Sequence, residues 1–159
     1  MTSQASASAV IHHVALVTAD ADNLGAWYHD LFGMRHVWTL VDFSELTMRR
    51  LPGIRRIDEW KLGSLRIHLL EVPSAEAASA TVKMASYQHI CLCLDSVEEL
   101  IVLRRRWLSL AYSKRFRFFV EANASEVVID PDGVASFYAL DPDGLEWEFT
   151  VVPVEVGNR

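Results

Sequence analysis

Three histidines and one glutamate occupy matched places in two parts of the chain. His13 lies in IHHVALVT and His89 in QHICLCL, while His68 lies in LRIHLLEV and Glu148 in LEWEFTVV. Each segment reads as a strand, and alternate strand residues share a face. His13 therefore goes with Ala15 and Val17, and His89 with Cys91 and Cys93. Arg66, His68 and Leu70 form one alternating set; Glu146, Glu148 and Thr150 form another. His68 follows Gly63 by five residues and Glu148 follows Gly144 by four, so the two are near-equivalent. A single strand histidine is usually a hydrogen-bonded core residue. Imidazoles recurring at equivalent places, with a carboxylate, instead suit a divalent zinc, iron, nickel, cobalt or manganese ion.

A group that moves protons belongs beside such a metal. If Gly63-Ser64 is a two-residue hairpin loop, Leu62 pairs with Leu65 and Glu59 falls opposite His68. Glu59 is then the candidate base, with Glu45 as the alternative; the bland reading of Glu59 is a solvated strand residue beside Lys61. The same count across Asp141 to Gly144 sets Phe137 opposite Glu148, an aromatic wall beside an acid, and parity turns Glu146 inward. Cys91 and Cys93 read as packing residues. Arg49, Arg50, Arg55 and Arg56 cluster in a loop able to cover a pocket, which suits an anionic substrate. Arg104 to Arg106, Lys114, Arg115 and Arg117 suit the end of a helix. Trp27 and Trp107 belong to helix stripes; Trp38 and Trp60 suit either a pocket or a subunit contact.

The elements that must position these groups recur once. Ile11 to Thr18 is a strand, and Asp20 caps a helix over ADNLGAWYHDLF. Its Leu24, Trp27, Tyr28 and Leu31 make one apolar stripe, and Gly33 stops it. Extended stretches follow at His36 to Val41, Ile57 to Leu62 and Leu65 to Val72. The order then repeats: a strand over Gln88 to Leu94, and a helix begun by the Ser96 and Glu99 capping-box pair. Strands are predicted near Phe116 to Glu121, Gly133 to Leu140 and Leu145 to Val152, with Asp141-Pro142-Asp143-Gly144 as the last turn. The expected fold is α+β: two tandem βαβββ modules, 11–73 and 87–153, forming a cupped mixed sheet with helices on the outside. Residues 74–86 read as the linker and 1–10 as a disordered tail.

With 159 residues, 51% hydrophobic and 23% charged, the chain has the means for one domain with a real core. A net charge of −6 argues against nucleic acid as a partner. No apolar run approaches the roughly 18 to 20 residues that cross a bilayer. The opening residues lack the basic start and apolar centre of a signal peptide, and two cysteines form no disulfide framework. The expectation is a cytoplasmic protein with a small-molecule substrate and no membrane partner.

Four segments, HVALVTADADNLGAWYHDLFGM, GSLRIHLLEVP, HICLCLDSVEEL and DPDGLEWEFTVVP, together resemble the vicinal oxygen chelate superfamily. That superfamily includes glyoxalase I, methylmalonyl-CoA epimerase, extradiol dioxygenases, and fosfomycin- and bleomycin-resistance proteins. The last segment is close to its Asp-Pro-x-Gly-x-x-x-Glu signature, and the resemblance spans Ile11 to Pro153. It implies one divalent metal held, by position, by His13, His68, His89 and Glu148. It also implies isomerase, epimerase or lyase-type proton transfer on a small carbonyl or carboxylate substrate; the expected catalytic groups are Glu148 and, from the hairpin count, Glu59. The epimerase and glyoxalase branches carry Glu or Gln where this chain has His68. Extradiol dioxygenases use two histidines and one glutamate, so an iron(II) dioxygenase is one alternative. A metal-free binding or resistance protein is the other, and the retained ligand set speaks against it. Members of the superfamily frequently form homodimers.

Overall fold

Asp20 links the first strand to the first helix through one side chain. In the computed structural model, which describes residues 11–72, 89–131 and 133–153, β1 (Val14–Thr18) leads into α1 (Ala21–Phe32). Asp20 Oδ1 accepts the Asn23 N–H at 3.0 Å, satisfying a donor that the helix itself leaves unpaired. α1 ends at Gly33, whose φ of 73° is left-handed and whose N–H reaches the His29 carbonyl. Next come β2 (Arg35–Leu40), a short α2 (Glu45–Arg50), β3 (Arg56–Leu62) and β4 (Leu65–Glu71). The second half contains β5 (His89–Cys93), α3 (Val97–Ala111), β6 (Val128–Ile129), β7 (Ala135–Leu140) and β8 (Glu146–Val151). Ser96 caps α3 by accepting the Glu99 N–H, while the Glu99 carboxylate takes the N–H of Asp95. The expected tail (1–10) and linker (74–86) lie outside the described residues.

The α+β expectation holds. Each half is a βαβββ unit with its own four-stranded mixed sheet, in the orders β1-β4-β3-β2 and β5-β8-β7-β6. The first strand of each unit runs parallel to the last, and the other pairs are antiparallel. One face of each sheet is apolar. Ile67 and Leu69 of β4, Phe137 of β7, and Trp147 and Phe149 of β8 join one buried cluster with Leu24, Trp27, Tyr28, Leu31, Leu100 and Trp107. α1 lies between the sheets. It packs on β4, and its Tyr28 and Phe32 rings also meet Trp147, at centroid distances of 5.5 and 5.0 Å. Both apolar faces are thus turned inward onto the helices, and both polar faces point outward. The mixed sheet expected from the sequence is thus built as two four-stranded sheets, one from each unit.

Two close fits hold the helices in place. A Cβ on Gly25 of α1 would come within 2.6 Å of Trp60 Cε2, so glycine leaves the room that this indole fills against the helix. The buried Asp141 carboxylate joins the two units. It accepts from Tyr28 Oη (2.7 Å), Trp147 Nε1 (3.2 Å), and the N–H groups of Asp143 and Leu145 (3.0 and 2.9 Å).

Three expectations are corrected. No strand forms over Phe116 to Glu121. Phe116 and Phe118 instead set their edges against Trp27 at 5.2 and 5.1 Å, and the Arg117 N–H donates to Asn23 Oδ1. The alternating rings serve the helix core, and β6 takes the sheet edge. The stretch 42–56 is not plain loop but carries α2, capped by Ser44 and burying no residue. Phe137 is not opposite Glu148; Tyr138 is. The Asp141 N–H pairs with the Leu145 carbonyl, so the loop spans five residues and the register shifts by one.

Candidate functional site

Strand register turns the outward faces into rows. On the first sheet one row runs Ala15, His68, Glu59, Trp38, and the row beside it runs Arg66, Lys61, Arg35. Glu59 therefore stands opposite His68, as the hairpin count expects. On the second sheet the matching rows are Cys91, Glu148, Tyr138 and His89, Glu146, Leu140. His68 and Glu148 thus hold equivalent places, and so do Glu59 and Tyr138. A one-residue bulge at Val37 shifts β2, which places both Arg35 and Trp38 on the outward face.

The candidate ligands meet in pairs. His13 and His68 stack with ring centroids 3.8 Å apart and planes 11° from parallel. His89 Nε2 lies 3.0 Å from Glu148 Oε2. The two pairs belong to different sheets, and among the described residues no group of three His, Cys, Asp or Glu side chains gathers as a metal site. The donor types nonetheless suit a divalent ion. His89 Nδ1 is buried without a hydrogen-bond partner, with Glu146 Oε1 3.7 Å away. His68 Nε2 meets Glu59 Oε2 at 2.9 Å, and a carboxylate behind a histidine is a frequent support for a metal-binding ring.

Electrostatics separates the two carboxylates expected to be catalytic. Glu59 is 1% exposed. Its burial raises the proton affinity, but hydrogen bonds and charge from His68 and Arg66 outweigh this and hold the carboxyl below its usual range. Glu148 is more open; it accepts from Tyr138 Oη at 2.9 Å and faces Cys91. Burial first, then the Glu148 charge, pushes the Cys91 thiol up to about 11, so it is no ready nucleophile at neutral pH. Burial and the neighbouring imidazoles of His68 and His12 lower His13 despite the pull of Glu59. His12 adds a third ring, its Nδ1 2.9 Å from His13 Nδ1.

The remaining sequence candidates divide clearly. Trp38 sits edge-on to His68 at 5.0 Å on the outward face, whereas Trp60 turns to the helix side. Glu45 begins the exposed α2. Arg56 is committed to Asp22, Glu71 and Asp58 at 2.7, 3.1 and 3.4 Å. Arg115 and Arg117 pair with Asp30 and Asp20. Tyr138 takes the place expected of Phe137 because the loop is one residue longer than a four-residue turn, and Arg35 joins the outward face through a bulge that simple alternation does not reveal. A cleft of about 270 Å³ runs beside β1, lined by Val14, Ala15, Leu16, Val17, Leu24, Asp141 and Leu145, and holds none of the candidate ligands. Among the described residues no helix is long and apolar enough to cross a membrane.

Comparison with known proteins gives a consistent answer. Residues 10–103 match the family model described as Glyoxalase/Bleomycin resistance protein/Dioxygenase superfamily. No curated protein matches by sequence. A lactoylglutathione lyase from Agrobacterium tumefaciens is 24% identical with a TM-score of 0.58, over 91% of this chain and 94% of that one. A glyoxylase/bleomycin resistance protein/dioxygenase domain from Frankia sp. EAN1pec superposes with a TM-score of 0.68 at 16% identity, over 92% and 100%. The fosfomycin resistance protein FosX from Listeria monocytogenes, solved with Mn(II) and sulfate, gives 0.60 at 16%, over 96% and 100%. At these identities the structural likeness shows a shared fold.

Proposed function

The chain belongs to the glyoxalase/bleomycin resistance protein/dioxygenase superfamily, and from that premise we propose a divalent-metal-dependent enzyme whose site is assembled from two copies of the chain. His13 and His68 of one copy would face His89 and Glu148 of the other. The observation that carries this reading is the pair of equivalent donor diagonals on outward faces that one chain does not bring together. A divalent ion held there would act as a Lewis acid on adjacent oxygens of a small carbonyl or carboxylate substrate. Glu148 is the carboxylate open enough to take a proton from such a substrate, and Tyr138 fixes its orientation. Glu59, buried and bonded to His68, orients that ring instead of meeting the substrate.

Mixing two dead variants tests the assembly. His13→Ala/His68→Ala and His89→Ala/Glu148→Ala should each lose bound metal and activity. Refolded together they should regain both, because the mixed dimer contains one intact site. Failure to regain metal on mixing, with both variants folded, refutes a site shared between copies. The bond between His68 and Glu59 also favours a second reading: with His68 held aside, two histidines and Glu148 remain, the set of an iron(II) dioxygenase. Substrate-dependent oxygen uptake by the iron-loaded protein would establish that alternative.

A further inference from the structure

Three cations stand side by side on the outward face of the first sheet. Arg35 is the register partner of Lys61, and Lys61 of Arg66, so one row carries basic side chains across β2, β3 and β4. Extending the parallel β1–β4 register by one residue brings His13 to the end of that row. Neighbouring strands lie about 4.8 Å apart, so the three basic positions span roughly 10 Å. Like charges placed directly opposite destabilise a sheet, and this chain is acidic overall at −6. Composition therefore does not explain the row. Of these three, only Arg66 meets an acid among the described residues: its Nη1 lies 3.2 and 3.4 Å from the two oxygens of Glu59. Among the described residues no ion pair engages Arg35 or Lys61, and the rest of the Arg66 fork makes no hydrogen bond. The equivalent row of the second sheet, His89, Glu146 and Leu140, holds Glu146 where the first has Arg66 and Leu140 where it has Lys61. The fold itself does not require the cations.

The geometry points to an oxyanion site in which Arg35, Lys61 and Arg66 hold a doubly charged phosphate-type group beside His13. Guanidinium forks match the paired oxygens of such a group, and lysine adds a mobile point charge. This group is the anionic end of the substrate, anchored next to the reacting end; that role rests on the proposed function, whereas the affinity for oxyanion does not.

The test is calorimetric titration of inorganic phosphate, at low ionic strength, into the full-length chain stripped of metal. Arg35→Gln/Lys61→Gln should bind phosphate about tenfold more weakly or worse, the scale of one charged hydrogen bond, while melting no lower than the parent. His89→Ala/Glu148→Ala should bind phosphate like the parent. Parent affinity in the glutamine variant, or no binding by the parent, overturns the assignment. Loss of binding in His89→Ala/Glu148→Ala also overturns it, by moving the anion to the metal donors. If the glutamine variant loses self-association but keeps its phosphate affinity, the row belongs to a subunit contact and the assignment falls. The expected phosphate pattern in a chain that takes up no metal keeps this assignment and defeats the metal reading alone.

Discussion

Tyr28→Phe isolates one bond across the junction of the two units. It deletes the hydroxyl that donates to Asp141 Oδ2 at 2.7 Å, and leaves the ring buried against Trp147. No cavity larger than an oxygen atom results, so the loss is almost wholly that of the bond. A hydrogen bond to a charged or strongly polarised acceptor contributes about 1.5–3 kcal/mol. Asp141 keeps its other three donors, from Trp147, Asp143 and Leu145, so no second buried group is orphaned. The expected destabilisation is therefore about 2 kcal/mol, and for a chain of this size about 4 to 8 °C in Tm. Urea unfolding followed by tryptophan fluorescence reads it directly, because Trp27 and Trp147 lie in the affected core. Asp141→Ala strands four donors and should cost at least twice as much. A Tyr28→Phe loss below about 0.5 kcal/mol would show that the hydroxyl is well solvated after all, and the view of Asp141 as the tie between units would go with it.

Other outcomes follow from the same packing. Gly25→Ala should destabilise by about 1–3 kcal/mol through overpacking against Trp60; an unchanged urea midpoint would mean that the indole moves aside freely. Burial, with Asp141 and Asp20 near, pushes the Asp143 carboxyl up to about 6 against the pull of Thr18 and Arg117. Because the folded value lies above the ordinary 3.8, its stabilising contribution is present at low pH and is lost as pH rises through 6. Asp143→Asn should therefore gain Tm relative to the parent between pH 4 and pH 7, and parallel melting curves would contradict this. Tyr138→Phe removes the donor to Glu148 and should weaken metal affinity about 10- to 100-fold in chelator competition; parent affinity would leave Tyr138 no positioning role.

Much of this architecture can be read in the residues before any coordinates. Asp20, Ser96 and Gly33 announce the helix ends because capping is a local bond between near neighbours. Gly63-Ser64 fixes the β3–β4 register, which is how Glu59 is found opposite His68. Parity identifies the shared faces because side-chain direction alternates whatever lies beyond the sheet. The failures arise where distant packing or one extra loop or strand residue decides the outcome. Phe116 and Phe118 alternate like a strand, yet both pack on Trp27, in the other unit, and Phe118 also meets Trp107 of the preceding helix. The β7–β8 register turns on Asp141 pairing with Leu145. Above all, alternation says which side chains share a face but not what that face meets, so the separation of the His13–His68 pair from the His89–Glu148 pair leaves no trace in either repeat.

The extra residue at Val37 has a further consequence. Arg35 and Trp38 are three apart, and in an unbroken strand an odd spacing puts two side chains on opposite sides. The insertion works as a phase changer: it lets one edge strand offer charge at its start and an indole further along, to the same surface. Deleting that single residue would flip one end of the strand over and leave everything else in place. Homologues differing only by the presence of this residue would therefore present differently composed surfaces on an unchanged scaffold, a cheap route by which such a protein changes what it accepts.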